Sequence, residues 1–150
     1  DTKLNNVMID EQTDEAVCVI DLDTVMPGLA LYDFGDLIRG ATSPVAEDEP
    51  DTSKVEMRLP MFEAIVEGYL ETAASFLTPL EIDLLPFSAK LISLETGIRF
   101  LTDYLEGDKY FRIHRDNHNL DRCKTQLALV KSIEDQEDKM LNFVKKWHRA

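Results

Sequence analysis

The chain has 150 residues, of which 44% are apolar and 30% are charged, the balance of a soluble globular protein that can bury a core. Its 29 acidic and 16 basic residues give a net charge of −13, which repels nucleic-acid phosphates and anionic lipid headgroups. No apolar run approaches the ~20 residues that cross a bilayer. We therefore expect one soluble domain with neither a nucleic-acid nor a membrane partner.

The first 25 residues have the pattern of an antiparallel β-hairpin. Two runs of strand character, "NVMID" and "VCVIDL", flank the polar turn "EQTDEA". After this hairpin the pattern is helical. The run "YDFGDLIRGA" predicts a short helix with Asp33 near its N-cap. The following "SPVAEDEPDTS" predicts an acidic loop that is mobile and solvated.

Four further helical stretches are predicted from proline positions and apolar spacing. One follows Pro60, a second begins at Thr78, and a third begins at Pro86 and ends at Gly107. A last stretch runs from about residue 119 to 147. The apolar positions of the long third helix include Leu91, Leu94, Ile98, Leu101 and Leu105.

Cys18 and Cys123 stand far apart, each among apolar residues. This context predicts two reduced, buried thiols rather than a disulfide or a metal site. Reduced thiols are typical of a reducing compartment, so we expect a cytoplasmic protein.

Three polar residues bracket the hairpin in a fixed order. Asp1 and Asn6 precede the first strand, and Asp21 closes the second. Phosphoryl transfer from a nucleotide needs a carboxylate that orients the attacking hydroxyl, and oxygen ligands that hold Mg²⁺ between the phosphates. We expect the hairpin to bring all three residues to one end of its strands, open to solvent. Taken singly, they also fit a chain terminus, a turn residue and a strand-end cap.

The second strand also supports a competing interpretation. The run "DLDTV" after "VCVI" fits the D-x-D-x-[TV] signature of haloacid-dehalogenase-like phosphatases, with Asp21 as nucleophile and Asp23 as acid/base. That fold needs further parallel strands alternating with helices, and no strand pattern follows residue 26. The phosphatase remains an alternative function.

The run "HRDNHNLDR" has local similarity to two other kinds of functional site, a protein-kinase catalytic loop and a zinc site. Its "HRD" resembles the catalytic loop of protein kinases, but Asp121 stands where the magnesium-binding asparagine belongs. His114 and His118 have a spacing that could bind zinc on a helix. Without a nearby third ligand, we expect both to be solvent-exposed residues at a helix entry.

Longer blocks of the sequence carry a family resemblance. "DTKLNNVMID" with "AVCVIDLDTVMPGLALYDFGDLIRG" resembles the catalytic half of the aminoglycoside phosphotransferase and choline kinase superfamily. More narrowly, "DLDTVMPGLALYDFGD", "GIRFLTDYL" and "HNLDRCKTQL" resemble the N-acetylhexosamine 1-kinase group, over nearly the whole chain. In that family a histidine stands two residues before the catalytic aspartate, and this chain begins at the aspartate.

The resemblance implies an α+β, mainly helical fold. Residues 1–150 would form a protein-kinase-like C-terminal lobe, with a short β-hairpin at the catalytic end, a helical subdomain and no N-terminal lobe. The glycine-rich loop and strand lysine that hold nucleotide phosphates are not found in the sequence. We therefore expect the chain alone to be inactive, with its own N-terminal lobe as a partner and an exposed apolar interlobe face that favours self-association.

The resemblance also implies roles for particular residues, with ATP as co-substrate and Mg²⁺ as cofactor. Asp1 would be the base that orients the acceptor hydroxyl, and Asn6 and Asp21 would be magnesium ligands. Asp23 would assist through water. Asp33 would support the catalytic loop by hydrogen bonds, a role compatible with a helix N-cap.

The acceptor implied by the resemblance is an amino sugar bound against the helical part of the chain. Arg99, Tyr110 and Trp147 are the candidate sugar contacts, because aromatic rings pack on sugar faces and charged side chains hold hydroxyls. Each could instead be a core or surface residue. The alternative function is non-enzymatic. The chain would then be a helical interaction module, and the acids near the hairpin would only be solvated.

Overall fold

The computed structural model describes residues 4–147. These residues are mainly helical, with one small antiparallel sheet, in agreement with the coarse α+β class expected from the sequence. In chain order the elements are a 3-10 turn (Leu4–Asn6), β1 (Val7–Ile9), β2 (Ala16–Val19), α1 (Ala30–Ala41), a second 3-10 turn (Thr52–Lys54), α2 (Leu59–Ala73), α3 (Pro79–Asp83), α4 (Leu85–Leu105), α5 (His118–Glu134) and α6 (Glu137–Val144).

The predicted hairpin is confirmed. Val7 pairs with Val19, and a bulge after Met8 lets Ile9 pair with Ala16. At the tip, the Asp10 carboxylate accepts backbone N–H groups from the turn. These hydrogen bonds lower the pKa of Asp10 and keep the turn closed while the carboxylate is ionised.

Local signals also explain where the helices begin and end. Thr78 and Glu81 form a capping box at the start of α3, and prolines occupy the first turns of α2 and α4. Gly107, at φ 90°, follows the end of α4. Helix α1 begins at Ala30 with Leu29 as its N-cap, so Asp33 lies near the N-cap, as predicted, but inside the first turn and not at the cap itself.

Helix α4 packs between α1 and α5 through its small and polar residues. Ser88, Ala89, Ser93 and Gly97 are buried, whereas four of the five predicted apolar positions (Leu91, Leu94, Ile98 and Leu105) are exposed. Ile98 is 54% exposed and Leu105 is 74% exposed. Small side chains let helices approach closely, so the buried face of α4 is its less hydrophobic one.

The main core lies where α1 and α2 meet the C-terminal helices. Phe34 of α1 packs edge-on against Phe62 of α2, with ring centroids 6.3 Å apart. Met140 and Val144 of α6 complete the same cluster. The other large, fully buried side chains are Ile38, Met57, Val66, Leu70, Leu85, Leu129 and Ile133.

The predicted final helix is in fact two helices. Helix α5 ends at Glu134, and Gln136 adopts a non-helical φ of −116° before α6 begins. The Gln136 side chain donates to the carbonyl of Met57 at 2.7 Å. This bond to a distant loop stabilises the break, and α6 then turns its apolar face onto the core.

The acidic loop is anchored, which contradicts the predicted mobile segment. Glu47 pairs with Arg39 at 2.5 Å, and the Glu49 carbonyl accepts the Thr125 hydroxyl at 3.0 Å. Asp48 lies 3.0 Å from Nε2 of His118. Arg39 is only eight residues before Glu47, but Thr125 and His118 come from α5, and these long-range contacts could not be predicted from the composition of the loop.

His118 is buried, at 3% exposure, rather than solvent-exposed as predicted. Its Nδ1 accepts the backbone N–H of His114 at 3.1 Å, and its Nε2 faces Asp48. These contacts occupy both ring nitrogens of a neutral imidazole. Among residues 4–147, no group of three potential metal-ligating side chains is found.

The two cysteines differ in environment. Both are free, but Cys18 is exposed on β2 while Cys123 is buried in α5. The prediction of two buried thiols is therefore wrong for Cys18, because the hairpin surface around it is open. Burial raises the pKa of Cys123. No helix within the described part of the chain combines the length and apolarity needed to cross a bilayer.

We expect Gly35→Ala to destabilise the protein by about 1–3 kcal/mol. A Cβ at Gly35 would lie 2.6 Å from the carbonyl oxygen of Ser88, so α1 and α4 would have to separate. Gly40→Ala, in the same helix, is the matched control because its Cβ would meet nothing within 4 Å. That control should stabilise by roughly 0.5–1 kcal/mol through helix propensity. Urea unfolding measures both, and equal effects would contradict the packing argument.

Candidate active site

The hairpin brings Asn6 and Asp21 to the same end of its strands. The carbonyl of Asn6 accepts the N–H of Ile20 at 2.9 Å, so Asp21 follows directly after a residue bonded to Asn6. Asn6 is half-buried and Asp21 is exposed. Asp1 lies outside the described residues. The magnesium roles of Asn6 and Asp21 stay predictions.

The chain turns sharply after the second strand. Asp21 has a φ of 62°, a left-handed conformation that aspartate tolerates better than most residues. The carbonyl of Leu22 then accepts the N–H of Val25 at 3.2 Å. Asp21 and Asp23 are both exposed along this turn, which leads from the hairpin to α1.

An open cleft of about 830 Å³ lies beside this turn. Its walls come from the turn, α1, α4, α5, the acidic loop and the segment that joins α4 to α5. The lining residues are Thr24, Tyr32, Asp33, Asp36, Arg39, Glu47, Ile92, Glu95, Thr96, Arg99, Phe100, Tyr110, Phe111, Arg112, His114 and Arg122. The volume falls in the range of small-molecule sites.

Arg99 and Tyr110, two of the candidate sugar contacts, both line this cleft, and their sugar-binding roles stay predictions. The Arg99 guanidinium carbon lies 5.8 Å from the Tyr110 ring centroid and 5.4 Å from that of Phe111. Both distances allow cation–π attraction. Tyr110 is 75% exposed and therefore forms the rim of the cleft.

Trp147 lies elsewhere. It follows the end of α6 and packs, partly buried, against the main core. It is not among the residues that line the cleft. Of the three candidate sugar contacts, Arg99 and Tyr110 line the cleft and Trp147 does not.

Asp33 lines the cleft from the first turn of α1. It also acts electrostatically on Tyr69, whose pKa is raised by burial first and by the charge of Asp33 second. The described residues do not include Asp1, so the expected support of the catalytic loop by Asp33 stays a prediction.

Ion pairs form another part of the cleft wall. Arg39 bonds Asp36 at 2.8 Å and Glu47 at 2.5 Å. Burial alone would lower the pKa of Arg39, but these two carboxylates outweigh it and raise that pKa. Arg122 stacks on Phe100, with 5.3 Å between guanidinium carbon and ring centroid. The charges of this part of the wall largely compensate each other, because Arg39 is paired with Asp36 and Glu47.

A second, smaller cavity of about 260 Å³ lies on the other side of the Arg39–Glu47 pair. Asn5, Thr125 and Gln126 contribute to its lining. The Gln126 side-chain oxygen is buried and finds no hydrogen-bond partner among the described residues. A bound water can satisfy such an atom.

Sequence reasoning missed the residues that hold the cleft rim. Asp103, 4% exposed, accepts the backbone N–H groups of Lys109, Tyr110 and Phe111 at 2.7–2.9 Å. Asn119, fully buried, donates to Asp103 at 2.8 Å. Asp103 lies on the same helix face as Gly97 and Phe100, opposite the predicted apolar stripe, so helical spacing gave no signal for its burial.

Comparison with protein families matches residues 1–77 to the phosphotransferase enzyme family. The match covers just over half of the chain and includes the hairpin, α1, the acidic loop and α2. The chain belongs to this family. Membership supports the expected aminoglycoside phosphotransferase and choline kinase superfamily, and a kinase-type phosphotransferase in general. Nothing in it favours a phosphatase or a non-enzymatic module, and within residues 4–147 no strand follows Val19 to build a phosphatase sheet.

The Asp103 contacts predict a specific pH dependence. Burial alone would raise the pKa of Asp103, but the amides of Phe111, Tyr110 and Lys109 outweigh it, so that pKa lies below its ordinary value of 3.8. A depressed folded-state pKa stabilises the fold above the unfolded pKa, and this stability is lost as pH falls through the folded value.

The amide proton shift of Tyr110, followed by NMR, should therefore titrate with a midpoint below pH 3.8. In Asp103→Asn this transition should vanish. Asp138→Asn, an exposed change on α6, is the control and should leave it unaltered. A midpoint at or above the ordinary carboxyl value would contradict the hydrogen-bond assignment.

Proposed function

We propose that the chain is the C-terminal, catalytic and acceptor-binding lobe of an ATP-dependent small-molecule kinase. The acceptor is an N-acetylhexosamine and the reacting group is its anomeric hydroxyl. The observation that carries the proposal is the continuity of the cleft. One cleft joins Thr24, three residues beyond Asp21, to the rim formed by Arg99 and Tyr110.

The residues at the hairpin end fit a magnesium site. An amide oxygen and a carboxylate are ligands that Mg²⁺ accepts, and two protein ligands leave positions for water and nucleotide phosphates. Bound Mg²⁺ would neutralise charge that develops on the phosphates. Asn6 and Asp21 lie at one end of the hairpin, as such shared ligation requires.

Asp1 takes the role of the base in this proposal. The anomeric oxygen bonds the γ-phosphorus of ATP, the bond from that phosphorus to the bridging oxygen breaks, and ADP leaves with the electron pair. The hydroxyl proton passes to the carboxylate of Asp1. Positioning and charge stabilisation supply most of the acceleration in such reactions. The products are a sugar 1-phosphate and ADP.

The charge balance of the cleft favours a neutral acceptor. Four acids line it (Asp33, Asp36, Glu47 and Glu95), and four arginines oppose them (Arg39, Arg99, Arg112 and Arg122). A polycationic acceptor would need an excess of carboxylates. A polyhydroxylated sugar instead uses donors and acceptors of both kinds, and its apolar ring face can pack on Tyr110 at the rim.

Turnover should require both the N-terminal lobe and Asp1. We expect the full-length protein to phosphorylate N-acetylglucosamine or N-acetylgalactosamine with ATP and Mg²⁺, and the 150-residue chain alone to fold but transfer no phosphate. Asp1→Asn in the full-length protein should lower kcat by about a hundredfold or more. Asp14→Asn, at the opposite end of the hairpin, is the matched control and should retain activity.

The same assay tests the acceptor class with a panel of neutral amino sugars, cationic aminoglycosides and amino alcohols. Turnover restricted to the neutral sugars supports the proposal. Turnover restricted to cationic acceptors would overturn the assignment of a neutral sugar as acceptor, but the assignment as a phosphotransferase would stand. Robust turnover by the 150-residue chain, or full activity in Asp1→Asn, would overturn the catalytic assignment.

We further propose that the chain alone self-associates through the hairpin, the face expected to contact the N-terminal lobe. Val17 and Val19 are 67% and 57% exposed, and Leu22 and Val25 extend the same apolar surface. In sedimentation velocity, the 150-residue chain should show mass that increases with concentration. Val17→Thr with Val19→Thr should reduce it, because threonine keeps strand propensity while removing apolar surface.

The control for this association is Leu105→Gln, which removes an exposed apolar side chain from α4. It should leave the association unchanged. Association that is lost with Leu105→Gln and kept in the valine variant would assign the contact to α4 instead.

A further inference from the structure

The segment that forms the cleft rim is held by hydrogen bonds to two buried side chains, Asp103 and Asn119, which do not line the cleft. This cleft loop, residues 107–112, carries Tyr110, Phe111 and Arg112 into the cleft lining. Short loops with exposed tips are ordinarily the mobile parts of a fold. The hydrogen bonds that hold the cleft loop are therefore unusual for a short surface loop.

Asp103, in the last turn of α4, holds the middle of the cleft loop. One carboxylate oxygen accepts the N–H of Lys109 at 2.9 Å and of Tyr110 at 2.7 Å, and the other accepts the N–H of Phe111 at 2.9 Å. Three consecutive amides converge on one ionised group. Hydrogen bonds to a charged acceptor are roughly twice as strong as neutral ones.

Asn119, in the first turn of α5, joins this carboxylate to the start of the loop. Its amide nitrogen donates to Asp103 and to Asp108, each at 2.8 Å. Its amide oxygen accepts from Arg122 at 3.1 Å. The side chain is fully buried and uses both of its ends, so its orientation is determined by its partners.

Arg122 extends the same network to the end of the cleft loop. Its guanidinium donates to the carbonyl of Arg112 at 3.3 Å and lies 3.7 Å from Glu47 of the acidic loop. The cleft loop is thus held at its beginning, middle and end by residues of α4 and α5. The Phe111 ring packs on Phe100 of α4, with centroids 4.7 Å apart.

We propose that Asp103 and Asn119 are positioning residues for the acceptor: they preorganise the cleft loop so that Tyr110 faces Arg99 before the sugar binds. Neither side chain lines the cleft, and both act through the backbone of the loop. A preorganised rim reduces the entropy lost on binding, so its disruption weakens the acceptor complex. The inference rests on the proposed function, and its experiment has one arm that does not depend on activity.

The first arm measures hydrogen exchange in the unaltered 150-residue chain without any sugar. The amides of Lys109, Tyr110 and Phe111 should exchange slowly, as expected for groups bonded to a buried carboxylate. Exchange at the rate of an unprotected loop would overturn the inference whatever the enzyme assay shows.

The second arm measures kinetics in the full-length protein carrying Asp103→Asn or Asn119→Ala. The KM for N-acetylglucosamine should rise about tenfold to a hundredfold, while the KM for ATP stays within about twofold. Asp138→Asn, exposed on α6, is the control and should change neither. A merely structural role would lower the amount of active protein and leave both KM values unaltered.

The outcomes separate the two claims. Protected amides with a selective rise in acceptor KM support the inference. Protected amides with no change in KM, or with equal changes for both substrates, overturn it and leave only a structural role. If the unaltered full-length protein phosphorylates no sugar, the proposed function fails and the positioning role fails with it. Protected amides would then still show that Asp103 and Asn119 hold the cleft loop.

Discussion

The close approach of α1 and α5 to α4 is the constraint on which the rest of the structure depends. Gly35 of α1 lies against the Ser88 carbonyl, and a Cβ at Gly97 of α4 would lie 3.1 Å from the Cβ of Gln126 in α5. Both contacts exclude larger side chains. With α4 held between its neighbours, Asp36 of α1 and Arg99 of α4 line the same cleft. Two glycines thereby determine the spacing of walls that neither of them lines.

The arginines of this acidic chain are concentrated where its loops must be held. A buried charge is costly unless it is paired, and removal of one partner leaves the other uncompensated. Arg39 and Arg122 both reach Glu47, so the acidic loop is fixed by the same charges that line the cleft. Glu47 lines both cavities, which makes this loop the partition between them.

Local signals in the sequence were enough to predict the hairpin and the starts of most helices. Turn residues, β-branched runs, prolines and the capping box at Thr78 act within a few residues, so their effects can be deduced without tertiary contacts. The buried face of α4 could not be deduced in this way. Leu91, Leu94 and Leu105 are exposed because Ser88 and Gly97 contact the neighbouring helices at distances that no leucine side chain allows.

The prediction of a mobile acidic loop was wrong for the same reason, because contacts with distant parts of the chain hold the loop. Its acidic and proline-rich composition is typical of mobile segments, but Arg39 and Thr125 hold it from helices on either side. At the candidate site, the sequence order alone indicated that Asn6 and Asp21 would lie at the same end of the hairpin that joins them. The role of Asp103 was not predictable, since its partners are backbone amides with no side-chain signature.

The two halves of the site differ in how the sequence specifies them. The family match ends at residue 77, so it includes Asn6 and Asp21 but neither Arg99 nor Tyr110. The proposed catalytic end depends on a short hairpin, whose geometry follows from local turn chemistry. The acceptor rim depends on buried polar contacts between α4, α5 and the cleft loop, which single substitutions can rearrange. In the proposed function, acceptor specificity can therefore change while the hairpin end stays intact, because Asp103 and Asn119 reach the cleft only through the backbone of residues 107–112.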